Sequence, residues 1–480
     1  MITIDKLLSP KKEFSNVILF DENDSFNHLL LNQDQEAYIN NEHKENKRTF
    51  FTFNHLSHWL IVIIYPVKKT AHQTNEELRK LGAIALDFFD KEHIKNINLL
   101  SNASKEETLS FVEGVCLASY CFDNYKTDPS RLVHPFDHIS IIHNDIDVDD
   151  INHLRIVCEA IEKCKDLVNE PVCTLNAEGL AAAFVNMSQE ANIRVEVLNK
   201  DAIEKLQMGG LLAVNKGSID PPTFTIMEYK PSNPLNNQPL ALVGKGLVYD
   251  TGGLNLKPGD YMNDMKSDMA GAATMASVIY AAARLNLPIH IIGLFPATDN
   301  RPCGNAFASG DIVNMYDGTN VEVVNTDAEG RMILADALAY AKQFNPSLII
   351  NAATLTGAAS RAIGPFGICA IENHAGMYLG DLKQAGKDVY ERIAEFPFWE
   401  EYDELIKSEI ADIKNSGESY AGMITAGKFL SHFTSEYPFI HLDIAGVAFN
   451  EKKKSYMGYG ATGFGIRLMI KFIEKYFIQK

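Results

Sequence analysis

The chain has no apolar stretch long enough to span a bilayer, and its opening residues, MITIDKLLSPKKEF, lack the charged start and apolar run of a secretory signal. The acidic residue there also argues against a transit peptide, so the expected location is cytoplasmic, with no membrane partner. The seven cysteines (Cys116, Cys121, Cys158, Cys164, Cys173, Cys303, Cys369) are odd in number and form no C-x-x-C pair, which points to reduced, mostly packed thiols. Basic charge is in deficit. With 44 Lys and Arg against 62 Asp and Glu, the net charge of −18 disfavours a broad phosphate-binding surface, and nucleic acid is not the expected partner. H-E-x-x-H and G-x-S-x-G are both absent, which leaves the usual zincin and serine hydrolase plans without support.

What is present reads as two α/β domains. HWLIVIIYPV (58–67) is strand-like, and NEELRKLGAIALDFF (75–89) and EETLSFVEGVCLASYCF (106–122) are helix-like, which predicts a smaller N-terminal α/β domain over 1–145. Leu154, Val157, Ile161 and Val168 then recur at helical spacing before Pro171, predicting a connecting helix over 146–165. From 166 to 480 strand-like segments (IRVEVLN, TFTIMEY, LALVGKGLVYD, IHIIGLF, VEVVN, PSLIINA, FIHLDIAG) alternate with helix-like ones. Apolar runs of this kind fit a mostly parallel central sheet flanked by helices in one large C-terminal domain. Ligands of such sheets bind where the strands end.

The charged residues fall at those ends. Lys245 interrupts an aliphatic run that Asp250 closes, and Asp268 precedes a helix rich in small residues. In NTDAEGR (325–331), Asp327, Glu329 and Arg331 occupy alternate positions, which on an extended chain would send all three side chains one way. Singly, each has a plain structural role: a Lys245–Asp250 ion pair, an Asp268 N-cap, Asp327 or Glu329 flanking a helix with Arg331 as partner. Together, four convergent carboxylates repel unless cations neutralise them, and their charge matches two divalent ions. Such oxygen-rich sites suit Zn²⁺ or Mn²⁺, with Mg²⁺ a further candidate, and Lys245 could then ligate through its neutral amine.

VGKGLVYDTGGLNLKP, MKSDMAGAAT and NTDAEGRMILADAL resemble the signature stretches of the leucyl aminopeptidase family, dinuclear metallo-exopeptidases of the cytosol aminopeptidase type. The resemblance covers about 165 to 480, including LVNEPVCTLNAEGLA, NAATLTGA and the closing DIAG and GATGFGIRL. It implies hydrolysis of peptides bearing a free N-terminus, Leu and other apolar residues preferred, and usually a homohexamer. By the same resemblance Asp250 and Glu329 bridge two metals per subunit, Lys245 and Asp268 complete one, and Asp327 completes the other. Lys257 and Arg331 are then the catalytic residues that do not ligate. Arg331 holds a bicarbonate proton shuttle, helped by the backbone of Ala328, Gly330 and Leu355. Met265, Thr354, Gly357, Ala445 and Ala448 surround the side chain to be released. The sequence departs from the family pattern at Tyr249, Ala270 and Ala448, and the last of these bears on the pocket.

Competing signals are weaker. GYGATG (458–463) matches G-x-G-x-x-G but follows no strand, so its glycines are expected to turn the chain into the last helix. His134, His138 and His143 lack a fitting fourth ligand for zinc. Two other functions use comparable parts: a dinuclear phosphoesterase, whose site usually recruits histidines, and a peptidase scaffold with a regulatory role in nucleic-acid binding.

Overall fold

A computed structural model describes residues 2–128 and 136–477; His134 lies outside the described residues. The chain forms two compact units, residues 1–159 with 452–458 and residues 160–451 with 459–480. The division falls inside the helix Val148–Asn169, where the sequence suggests a linker over 146–165.

The first unit is built on a six-stranded sheet, parallel except for the antiparallel edge strand Phe50–Asn54. Trp59–Tyr65 is the strand expected from its unbroken aliphatic run, and Ala71–Lys91 and Lys105–Ala118 are the two helices expected after it. Ser104 caps the second helix in a reciprocal capping box with Glu107. One face of the sheet packs Ile18, Phe20, Leu60, Val62 and Ile64 against Phe26, Ile39 and Phe51. His138 meets Asp5 and Ser140, whereas His143 meets Ala103 O, so these two histidines do not converge on a common point.

The second unit carries a nine-stranded sheet whose centre is parallel. Phe439–Asp443, Leu348–Ala353, Leu240–Gly244 and Ile291–Asn300 lie side by side, and Gly246–Asp250 adds to the far end of the last. Antiparallel strands flank this centre. Helix Glu329–Ala341 covers one face, burying Met332, Ile333, Leu334 and Leu338 against Ala241, Val243, Ile292, Leu294 and Ile349. Each such side chain, fully withdrawn from water, contributes about 1.5–3 kcal/mol before entropy is counted. Helix Ala270–Arg284 packs against the same central strands, and its small residues let it approach closely: a Cβ on Gly271 would stand 2.1 Å from Ala352 O. No helix of the described residues is long and apolar enough to cross a membrane.

VEVVN does not join this sheet. Only Asn320–Glu322 is a strand, and it lies in a separate three-stranded sheet with Ile312–Asn314 and Ile413–Lys414.

Candidate metal centre and active site

Lys245 occupies the single-residue break between the strands Leu240–Gly244 and Gly246–Asp250. Its N–H donates to Ala352 O (3.1 Å) and its carbonyl accepts from Ala272 N (2.9 Å), so a strand and a helix both fix it. The residue is 2% exposed, with Nζ 2.7 Å from Asp268 Oδ2, 3.1 Å from Glu329 Oε1 and 3.1 Å from Thr354 O. Burial pulls its pKa down, but Asp268, Glu329 and Asp250 outweigh that pull and hold it above the ordinary lysine value. It does not snorkel to solvent.

Asp250 ends its strand beside Lys257. Oδ1 accepts from Gly252 N (2.8 Å) and Asn300 Nδ2 (2.9 Å), while Oδ2 lies 2.7 Å from Lys257 Nζ. Lys257 Nζ is also 2.7 Å from Asp327 Oδ1. Asp268 sits in the 3₁₀ turn Met265–Met269 just before its helix, not at the cap itself, and accepts from Thr354 Oγ1 at 2.8 Å. Glu329 is the first residue of helix Glu329–Ala341, where the positive end of the helix dipole favours its charge.

The four acids do not titrate alike. Burial, then repulsion from Glu329 and Asp268, pushes Asp250 well above the usual carboxylate range. Burial lifts Asp268 to about 6 against the pull of Lys245, and burial with Glu329 raises Asp327. Burial also acts on Glu329, but Lys245 and Lys257 hold it below its ordinary value.

One carboxylate oxygen each from Asp250, Asp327 and Glu329 lies within 4.8 Å of the other two. Glu329 Oε2 is buried with no hydrogen-bond partner, and Asp327 Oδ1, although near Lys257, receives no well-directed hydrogen bond. Dense carboxylate oxygens, some left unsatisfied, are the donor set that hard or borderline divalent cations take. The residues present therefore fit such ions.

The convergence does not arise from strand alternation. Asp327 lies in a turn, and Glu329 and Arg331 belong to the first turn of the helix, because strand pairing stops at Glu322. Side chains hold the intervening backbone. Asn415, fully buried, accepts from Val324 N (2.9 Å) and Asn325 N (3.3 Å) and donates to Asn325 O (2.7 Å) and Ala328 O (3.4 Å). Asn255 Oδ1 accepts from Thr326 N (2.8 Å), and Asn300 Nδ2 joins Thr326 O (3.0 Å) to Asp250. Sequence reasoning missed all three amides. Asn300 had a signal, as a polar residue ending a central strand; Asn255 and Asn415 had none beyond their loops.

Arg331 is buried, with Nη1 donating to Asn415 O at 2.8 Å and Nε without a partner. Burial lowers its pKa to about 10, which leaves it a cation at neutral pH. Two backbone groups expected to help it are already engaged: Ala328 N donates to Asn325 O (3.2 Å) and Leu355 N to Asp443 Oδ1 (3.2 Å). Gly330 is buried against the tip of Lys245.

The expected pocket residues come from three segments. Met265 opens the 3₁₀ turn that carries Asp268. Thr354 and Gly357 follow the strand Leu348–Ala353, and Ala445 and Ala448 follow Phe439–Asp443, which pairs with it in parallel. Both loops thus leave the same end of the sheet. Thr354 also serves the acids, since its hydroxyl meets Asp268 and its carbonyl meets Lys245.

Residues 162–470 match the family model described as "Cytosol aminopeptidase family, catalytic domain". A "probable cytosol aminopeptidase" of Chlorobium limicola is 42% identical, over 83% of this chain and 80% of that protein. One of Geobacter sulfurreducens is 37% identical, over 86% and 84%. Among solved structures, the bottromycin maturation enzyme BotP in complex with Mn superposes with a TM-score of 0.85 at 26% identity, covering 96% of this chain and 99% of that one. A tomato leucine aminopeptidase variant shares the fold, with a TM-score of 0.86 at 24% identity and coverage of 98% and 96%. The chain belongs to the cytosol aminopeptidase family.

Proposed function

We infer that this protein is a metal-dependent aminopeptidase that releases N-terminal amino acids from peptides. The observation that carries the reading is the convergence of Asp250, Asp268, Asp327 and Glu329 around Lys245 and Lys257, with a buried Glu329 oxygen left unsatisfied. In this reading Asp250, Asp268, Asp327 and Glu329, with Lys245, would hold two divalent ions. Such ions, when bound, supply Lewis-acid polarisation and lower the pKa of bound water. Manganese accompanies the bottromycin enzyme, and Mn²⁺ and Zn²⁺ are the ions proposed here, with Mg²⁺ next.

The remaining roles are those the family resemblance suggests. Lys257, flanked by Asp250 and Asp327, stays an ammonium because those acids outweigh its burial, and it donates to the oxyanion that forms at the scissile carbonyl. Arg331, with a free Nε, would hold a bicarbonate, which would supply a proton shuttle when bound. Gly330 would supply the adjoining backbone, whereas Ala328 N and Leu355 N keep the partners they already have, Asn325 O and Asp443 Oδ1. Met265, Thr354, Gly357, Ala445 and Ala448 form a wall that accepts Leu or Met by burying their carbons and leaves an Asp or Glu carboxylate without a partner. A homohexamer in the cytoplasm is the assembly and location that the family resemblance suggests.

Steady-state hydrolysis of aminoacyl amides by apo protein titrated with Mn²⁺, Zn²⁺ and Mg²⁺ tests the reading. The expected order in kcat/KM is Leu or Met, then Ala, then Asp and Glu far below, with no turnover of N-acetyl-Leu amide. Rapid cleavage of the acetylated substrate contradicts the exopeptidase assignment, and faster turnover of phosphate esters returns the phosphoesterase.

A further inference from the structure

We propose that Asp443 is a positioning residue that joins the two loops of the side-chain pocket and thereby sets selectivity for the released residue. The inference rests on the pocket reading above. Asp443 is 1% exposed at the end of the strand Phe439–Asp443. Its Oδ1 accepts from Leu355 N (3.2 Å) and from Ala445 N (3.2 Å), so one oxygen ties both loops. Oδ2 accepts from Thr356 Oγ1 at 2.7 Å. Thr356 in turn accepts from Ala359 N at 3.1 Å, which fixes the start of the helix Gly357–Ile363. Thr354 and Gly357 on one loop and Ala445 on the other are therefore each within two residues of a group that Asp443 holds.

This tie spans a junction the sheet does not close by itself. The ladder between the two strands ends at Ala353 and Asp443, with Ile444 N to Ala353 O (2.9 Å) as the next link. Beyond it the chains diverge into loops, and the carboxylate spans the gap. Burial pushes Asp443 up to about 6, against the pull of the three donors and of Lys245. A carboxylate accepting three hydrogen bonds from two loops fixes their spacing more firmly than packing of alanines and glycines can.

The test is the ratio of kcat/KM for Leu amide to that for Ala amide, in the metal-loaded enzyme. Loss of folded protein or of metal lowers both terms alike and leaves the ratio unchanged. Asp443→Ala releases both loops and is expected to lower the ratio about tenfold. Asp443→Asn keeps an oxygen for the two N–H groups and an amide N–H for Thr356, so it should restore the ratio to within about threefold of wild type. Where Asp443→Ala does not fold, Thr356→Val reports the same tie through the lost hydroxyl, and Thr356→Ser retains it. A wild type that does not prefer Leu over Ala removes the pocket reading and this inference with it. A preserved ratio in Asp443→Ala or in Thr356→Val, or an Asp443→Asn ratio as low as that of Asp443→Ala, overturns the tie alone.

Discussion

Gly330 lies against the end of the Lys245 side chain: a Cβ placed on it would stand 2.3 Å from Lys245 Cε and 2.6 Å from Nζ. The contact decides where the lysine nitrogen can sit, because Lys245 is fixed at its other end by Ala352 O and Ala272 N. Gly330→Ala should therefore push Nζ away from Asp268 and Glu329, at a cost of about 1–3 kcal/mol in stability for overpacking. Metal affinity is expected to fall with it, measured by competition with a chromogenic chelator. Unchanged affinity contradicts the placement of Lys245 in the metal site.

Lys257 and Arg331 are assigned to chemistry and not to ligation. Lys257→Ala and Arg331→Ala should keep their metal by elemental analysis while losing rate, Lys257→Ala by about 10²–10³-fold in kcat, the usual effect of removing an oxyanion donor. Metal lost in proportion to activity would make both residues structural.

His441 gives a pH signature in the metal-free protein. Burial first, and then the charge of Arg331, lowers its pKa to about 3, and Nδ1 meets Asn351 Oδ1 at 2.7 Å. In the unfolded chain the ring titrates near 6.5. Its contribution to stability is therefore fully present above about pH 6.5 and is lost progressively as pH falls toward 3, because only the unfolded state takes up the proton. Urea unfolding of wild type and His441→Phe should show a stability difference that shifts against wild type between about pH 7 and pH 4. A difference independent of pH contradicts the neutral buried ring.

Much of this was legible in the sequence because it is local. The aliphatic runs that form the central strands, the small residues of Ala270–Arg284, and Lys245 within its run all signal themselves within about ten positions. The acids stand out in the sequence by their number, whereas strand alternation gives the wrong geometry for them, since 325–331 is a turn entering a helix and not an extended segment. A three-residue difference in where strand pairing stops, at Glu322 and not Asn325, is invisible to alternation when one partner, Ile413–Lys414, lies some ninety residues away. Asn415 and Asp443 stayed hidden likewise: each holds a loop through hydrogen bonds whose partners are 84 to 91 or 87 to 88 positions distant.

Asp250, Asp268, Asp327 and Glu329 are proposed to hold two divalent ions. Metal content per chain after dialysis against limiting Mn²⁺ or Zn²⁺ tests it most directly, in wild type, Asp268→Asn and Glu329→Gln, with folding checked by circular dichroism. Two ions are expected in wild type, one in Asp268→Asn, and fewer still in Glu329→Gln, because Glu329 would serve both sites. Equal metal content in all three folded proteins would contradict it.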